Sequence, residues 1–252
     1  MCCSIRPQIK ITKQNYATPL LVLAGGFGTR LHSVVGSKPK ALAPVDGKPF
    51  LYLQIEHWIG QGIGSFVFLL HYQADLIIEF LQNEQNGLLA GYQVKYLVEP
   101  VPMGTGGAVA YAVEQLQIEG DFLIANADTW LGSGIQQIMQ VQSPAMLVLE
   151  VEDAGRYGNV IFDSEEYIIT FSEKSVGIGT GWINSGLCLV SAEFFKNWDH
   201  RAFSLELVTL PKLAQEGTFK AVPIEESFID IGIPDDYFRF CHWVESGKIE
   251  DF

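Results

Sequence analysis

Leu21-Val22-Leu23-Ala24-Gly25-Gly26-Phe27-Gly28-Thr29-Arg30-Leu31 is a short apolar run that ends in three glycines and an arginine. The apolar part, Leu20 to Ala24, reads as a buried strand running into a tight loop. Glycines let the backbone turn sharply and bring its N–H groups close to a phosphate. No Gly-Lys-Ser/Thr follows, so the loop is not a P-loop. It is not a dinucleotide fingerprint either, because Leu31 stands where the third glycine should be. Arg30 can grip phosphate oxygens with a rigid, permanently charged fork. By itself the loop fits either a nucleotide cradle or a plain glycine-rich turn beside a surface arginine.

Working outward, strands and helices alternate. Phe50 to Gly60 has apolar residues at helical spacing, and Ser65 to Leu70 is an apolar run that reads as a strand. Ala74 to Leu81 reads as a helix, Tyr92 to Val98 as a strand, Ala108 to Leu116 as a helix and Asp121 to Ala125 as a strand. This alternation predicts a mostly parallel sheet covered on both faces. The second half is richer in strands: Ala145 to Val151, Asn159 to Phe162, Tyr167 to Phe171 and Ser185 to Val190. Leu205 to Gln215 reads as a helix, Phe219 to Val222 and Phe228 to Ile231 as strands, and Pro234 opens a last helix. Ligands of open α/β sheets sit beyond the carboxyl ends of the strands. Gly25 to Arg30, Glu99 to Gly107 and Asn126 to Asp128 all fall at such ends.

With 252 residues, 48% of them hydrophobic, the chain can bury one substantial core. No linker or repeat divides it. The expectation is a loose extension over 1–17 and one domain over 18–252, with a nucleotide-binding half to about 140 and, from about 141, a more β-rich half that closes over a second ligand. A net charge of −13 argues against nucleic-acid binding. No apolar run has the length of a membrane span, and residues 1–17 lack a signal-peptide core. Cys2, Cys3, Cys188 and Cys241 form no CxxC pair or metal spacing. These features favour reduced thiols in the cytoplasm, with a homo-oligomer compatible. His32, His57, His71, His200 and His242 form no ligand pattern.

Pro39-Lys40-Ala41-Leu42-Ala43-Pro44-Val45 and Gly47-Lys48-Pro49 follow the glycine loop. In this order the segments resemble the signature of the sugar-1-phosphate nucleotidylyltransferase family. The likeness spans about residues 20 to 245. Glu99-Pro100 with Gly104-Thr105-Gly106-Gly107 resembles the family's base-reading loop. Asn126-Ala127-Asp128 resembles its metal motif, with Ala127 in place of the usual glycine. Tyr157-Gly158-Asn159, Glu173-Lys174 and Asn184-Ser185-Gly186 resemble its sugar-phosphate side, and Phe228 to Gly232 the segment with the second metal carboxylate. The combination looks most like D-glycero-D-manno-heptose 1-phosphate guanylyltransferases, although Asp230 to Tyr237 is shared with mannose-1-phosphate guanylyltransferase-like relatives.

The resemblance implies a Rossmann-like three-layer αβα nucleotidyltransferase fold, its sheet mixed and mostly parallel, with a β-rich sugar-binding part. It implies attack of a sugar-1-phosphate oxygen on the α-phosphorus of a nucleoside triphosphate. Both reactants are anionic, so the chemistry needs alignment and charge neutralisation. Arg30 would hold the leaving pyrophosphate, Lys40 the α-phosphate and Lys174 the sugar phosphate. Leu23, Gly25, Gly26, Gly28, Thr29, Glu99, Gly104 and Thr105 would bind the nucleotide. Tyr157, Gly158, Asn159, Glu173 and Asn184 would bind the sugar side. Asp128 and Asp230, each at a strand end, would share Mg2+, which takes one or two carboxylates plus phosphates and water. Each could instead be a cap or turn former.

Glu99 favours GTP, since a carboxylate accepts from both guanine N1–H and the exocyclic amine. Three other readings stand beside this one. A different sugar 1-phosphate or base is the first. A non-catalytic nucleotide-sugar-binding subunit should lack one of the central charges, and all are present. A dehydrogenase is opposed by Leu31 and by Pro39-Lys40.

Overall fold

The computed structural model describes residues 16–36, 38–172 and 179–249. Cys2, Cys3, Glu173, Lys174 and nearly all of the 1–17 segment lie outside the described residues. The elements run β1 (Leu20–Leu23), α1 (His32–Val35), β2 (Pro44–Val45), β3 (Lys48–Pro49), α2 (Phe50–Gly60), β4 (Ser65–Leu70), α3 (Ala74–Asn83), β5 (Gln93–Val98), α4 (Gly104–Leu116) and β6 (Asp121–Asn126). They continue with β7 (Thr129–Leu131), α5 (Ile135–Ile138), β8 (Ala145–Val151), β9 (Asn159–Phe162), β10 (Ile168–Ser172), β11 (Gly181–Ser191), α6 (Leu210–Gln215), β12 (Lys220–Pro223), β13 (Phe228–Asp230) and α7 (Pro234–Glu245).

One nine-stranded sheet organises the chain. β5, β4, β1 and β6 lie side by side and parallel. The apolar runs of β1, β4 and β6 alternate between two buried faces, as strands covered on both sides must, while β5 is the more exposed edge strand. Leu20, Val22, Phe66 and Phe68 pack with Leu51, Ile55 and Trp58 of α2 and Ile77 of α3. Leu21, Val67 and Leu69 face the other way, onto Val109 and Val113 of α4 and Leu210 and Leu213 of α6. The result is three layers, α/β/α. A third cluster joins Leu31, Phe50, Trp130 and Ile231 to Tyr237 and Phe240 of α7.

The β-rich half extends the same sheet. β11 lies antiparallel to β6 on one side and to β8 on the other, and β12 continues parallel to β8. β11 is longer than the expected Ser185 to Val190. Its register shifts between Asn184 and Cys188, around Gly186 at φ +85°. The strand therefore meets β9 near Ile183 and β6 from Leu187 onward.

Helix α4 begins at Gly104, four residues before Ala108. The Phe203 carbonyl accepts N–H bonds from Gly106 (3.0 Å) and Gly107 (3.2 Å), which satisfies donors of the first turn. Gly104 has φ +70°, and a Cβ there would lie 2.5 Å from that carbonyl oxygen. The fold itself therefore demands this glycine. The described residues contain no helix long and apolar enough to cross a membrane.

Candidate active site

The loop after β1 is held at its start. Ala24 N–H donates to the Leu69 carbonyl (2.9 Å) and Tyr72 N–H to the Gly25 carbonyl (3.3 Å). A side chain at Gly25 would press on the Glu99 carboxylate at 3.0 Å. Gly28 is left-handed (φ +60°) and a Cβ there would sit 3.0 Å from that of Lys40. Gly26 has nothing within 4 Å, so packing does not require its glycine. Thr29 to Leu31 form a short turn, anchored by buried Leu31 and presenting exposed Arg30.

Lys40 opens the turn that follows Pro39. Its ammonium lies 2.7 Å from Asp128 Oδ2 and 3.2 Å from Asp230 Oδ1. Two carboxylates a hundred residues apart in sequence thus meet at one cation. Their loops are tied: Ile231 N–H donates to the Asp128 carbonyl (2.9 Å). Asp230 Oδ1 also accepts from Gly232 N–H (2.7 Å), and Asp128 Oδ1 from the Thr129 hydroxyl (3.2 Å). Burial raises the Asp230 carboxyl above its ordinary range; the Asp128 charge adds to this and Lys40 opposes it.

Among the described residues no three His, Cys, Asp or Glu side chains gather closely enough to enclose a metal. A pair of carboxylates around one positive charge is what magnesium needs from a protein when phosphates and water supply the other ligands. The donor set therefore fits.

Glu99 follows β5 and is 9% exposed. Its Oε2 accepts the Met103 N–H at 2.8 Å, and burial raises its pKa against the pull of that bond and of His71. Thr105 is already engaged, donating its hydroxyl to Glu206 (2.6 Å) and accepting from Leu205 N–H (2.8 Å). These walls enclose a cavity of about 560 Å³. Leu23, Gly25, Gly26, Gly28, Thr29, Arg30, Lys40, Glu99, Gly104, Thr105 and Asp128 all line it. Asp230 joins it through Lys40.

A model described as nucleotidyl transferase matches residues 20–246. The chain belongs to this family. It is 32% identical over 222 residues to a D-glycero-alpha-D-manno-heptose 1-phosphate guanylyltransferase of Campylobacter jejuni, covering 87% of this chain and 97% of that one. It is 29% identical over 234 residues to the mannose-1-phosphate guanylyltransferase catalytic subunit beta of Xenopus tropicalis, covering 90% of this chain and 64% of that relative. The crystal structure of HddC from Yersinia pseudotuberculosis complexed with GMP-PN superposes with a TM-score of 0.78 at 35% identity, covering 90% of this chain and 99% of that one.

In this nucleotidyl transferase the residues expected on the sugar side form a neighbouring cluster and do not line the same cavity. Asn184 N–H donates to the Gly158 carbonyl (3.0 Å), and Asn184 Oδ1 accepts from Gly186 N–H (2.8 Å). The Asn159 amide donates to the carbonyls of Ala154 and Tyr157 (3.3 Å each). Tyr157 packs its ring on Phe228, 5.3 Å away, two residues before Asp230. Burial raises the Tyr157 hydroxyl; Arg156 opposes this, and the charges of Asp236 and Asp230 add to it. Arg156 pairs with buried Asp236 at the start of α7.

Sequence reading assigned no site role to His71 or Glu206 and showed Phe27, Asn126 and Gly232 only within their motifs, yet all five line the cavity. His71 ends β4 as Glu99 ends β5, and that shared strand-end position was the available signal. Trp182, beside Ile183 on β11, is half-buried and packs edge-on against Phe162 at 5.3 Å.

Proposed function

We propose that this chain transfers a guanylyl group from GTP to a sugar 1-phosphate, with D-glycero-D-manno-heptose 1-phosphate as the sugar, giving a GDP-sugar and pyrophosphate. The observation that carries the reading is the Lys40–Asp128–Asp230 cluster, set at a cavity that also holds the Gly25–Arg30 loop and Glu99. A sugar-phosphate oxygen forms a bond to the α-phosphorus of GTP. The bond from that phosphorus to the β-phosphate bridging oxygen breaks, and pyrophosphate leaves.

The protein's part is to align two anions and cancel their charge. Gly26 leaves room for the triphosphate to approach the backbone. Arg30, exposed at the loop, takes the departing pyrophosphate. Lys40 moves its charge onto the α-phosphate oxygens. Asp128 and Asp230 would hold Mg2+, which would supply positive charge to offset that of the phosphates. Glu99 keeps Oε1 free for guanine while Met103 fixes Oε2. Tyr157, Gly158, Asn159 and Asn184 shape the sugar side of a second half, about 141–252, against a nucleotide half of about 18–140. Glu173 and Lys174, assigned to the sugar and its phosphate, lie outside the described residues. The enzyme would work in the cytoplasm, where GTP is supplied.

The name of the Campylobacter relative supports the guanylyl and heptose parts, and the GMP-PN bound in the Yersinia structure supports a guanine nucleotide. Mannose 1-phosphate is the second reading, supported by the Xenopus relative, of which this chain spans 64%. A matrix of GTP, UTP, dTTP, CTP and ATP against heptose, mannose and glucose 1-phosphates, read as pyrophosphate release, tests both. Preference for UTP would overturn the role of Glu99, and preference for mannose 1-phosphate the choice of sugar.

A further inference from the structure

Helix α2 carries three polar residues on one stripe, Gln54, His57 and Gln61, the last at its C-terminal boundary. All three bond to the backbone of one segment. Gln54 Nε2 donates to the carbonyls of Asn126 (3.1 Å) and Thr129 (2.8 Å). The His57 ring bonds the Leu131 carbonyl through Nε2 (2.9 Å), and Gln61 Oε1 accepts the Ile135 N–H (3.1 Å). Burial lowers the His57 pKa, which favours the neutral ring with its proton on Nε2.

The segment so held is the one that carries Asp128. Gln54 grips it on both sides of that residue. Thr129 in turn pairs with Asp230 across β7 and β13. Gln54 is 1% exposed and does not line the cavity. Its Oε1 has no hydrogen-bond partner among the described residues. The amide cannot be turned over, because its oxygen would then face two carbonyl oxygens. A leucine would fill the same space and leave no orphaned side-chain acceptor. The amide earns its place through its two donors.

The geometry points to Gln54 as a positioning residue for the acid pair. It fixes the Asn126–Thr129 turn from which Asp128 projects and, through the Thr129–Asp230 pair, the spacing of the two carboxylates. This rests on the reading of Asp128 and Asp230 as the metal pair.

Mn2+ binding followed by electron paramagnetic resonance, with the α,β-methylene analogue of GTP present, tests it. Gln54→Leu should weaken Mn2+ binding and lower kcat, each by about ten- to hundredfold, as for groups that orient metal ligands. Affinity for the analogue without metal should stay within about twofold of wild type, since Gln54 makes no cavity contact. Gln61→Leu, whose bond lies seven residues beyond Asp128, should bind Mn2+ as wild type does. Gln54→Asn keeps the amide on a shorter stem and should fall between; it carries the test if the leucine variant does not fold. Wild-type Mn2+ affinity and kcat in the Gln54 variants, even with a lower Tm, would overturn the positioning role alone. A wild-type protein that binds no Mn2+ would overturn the metal reading, and the positioning role with it.

Discussion

The two sides of the site spend their polar atoms differently. On the nucleotide side, Arg30 is exposed, Gly26 has open space beside it, and Glu99 commits one of its two oxygens. On the sugar side, the Asn159 amide and Asn184 Oδ1 are already bonded to their own neighbourhood. Between them sits Lys40, shared by two carboxylates. The first side is built as a preformed receptor, with charges and donors awaiting a ligand. The second, among its described residues, is proposed to be a scaffold in which Asn159 and Asn184 hold the backbone in place. Substitutions on the first should therefore cost turnover and binding, and at Asn159 or Asn184 on the second stability and modest affinity.

The largest effect is expected at the centre. Asp128→Asn should lower kcat by about 10²- to 10³-fold, the usual scale for one preorganised electrostatic group, with a cooperative melt close to wild type. Full activity with unchanged magnesium dependence would remove Asp128 from the account. Lys40→Met comes next, at about a hundredfold in kcat by the same reasoning. It also leaves two partly buried carboxylates without their cation, so it should melt below wild type in chelator. Added Mg2+ should restore the melt; no rescue would mean that the pair does not hold a divalent ion.

Glu99→Gln sharpens the contrast from the other direction. A hydrogen bond to a charged group is worth about 1.5–3 kcal/mol, so the KM for GTP should rise about ten- to hundredfold. Burial raises the Glu99 pKa, so the folded chain holds this proton to higher pH than the unfolded one. Ionisation therefore costs stability as pH rises through the raised value. The glutamine variant should melt no lower than wild type at neutral pH. The wild-type KM for GTP should climb as pH falls, starting above the ordinary carboxylate range. The variant should lack that acid limb.

The smallest effect is expected at Asn184. Asn184→Ala frees the Gly186 N–H and should cost about 1 kcal/mol of stability. It should raise the KM for the sugar phosphate a few-fold while that for GTP stays unchanged. A hundredfold loss there would erase the distinction between receptor and scaffold.

Much of this architecture was legible in the sequence because β1, β4 and β6 are buried on both faces and even the edge strand β5 keeps an apolar run between turn residues. Their apolar runs, cut by glycine, give β1, β4, β5 and β6 almost to the residue. The start of α4 was not legible, since it depends on Phe203, a hundred residues away. β7 is too short to show a period, and β11 owes its length to a bulge at Gly186. Within the site, the glycine loop, Lys40 and the two aspartates were legible from ordered motifs and strand ends. The bridge from Lys40 to both acids was not, because it joins residues 88 and 190 positions apart. Gln54 was hidden for another reason: one amide in an apolar helix looks like a surface residue until its partners are seen.

The most direct test is pyrophosphate release on mixing the protein with GTP, Mg2+ and D-glycero-D-manno-heptose 1-phosphate. The account predicts one pyrophosphate per GDP-sugar formed and none when the sugar phosphate or the metal is withheld. GTP binding without pyrophosphate release, for every sugar 1-phosphate and nucleoside triphosphate tried, would contradict it.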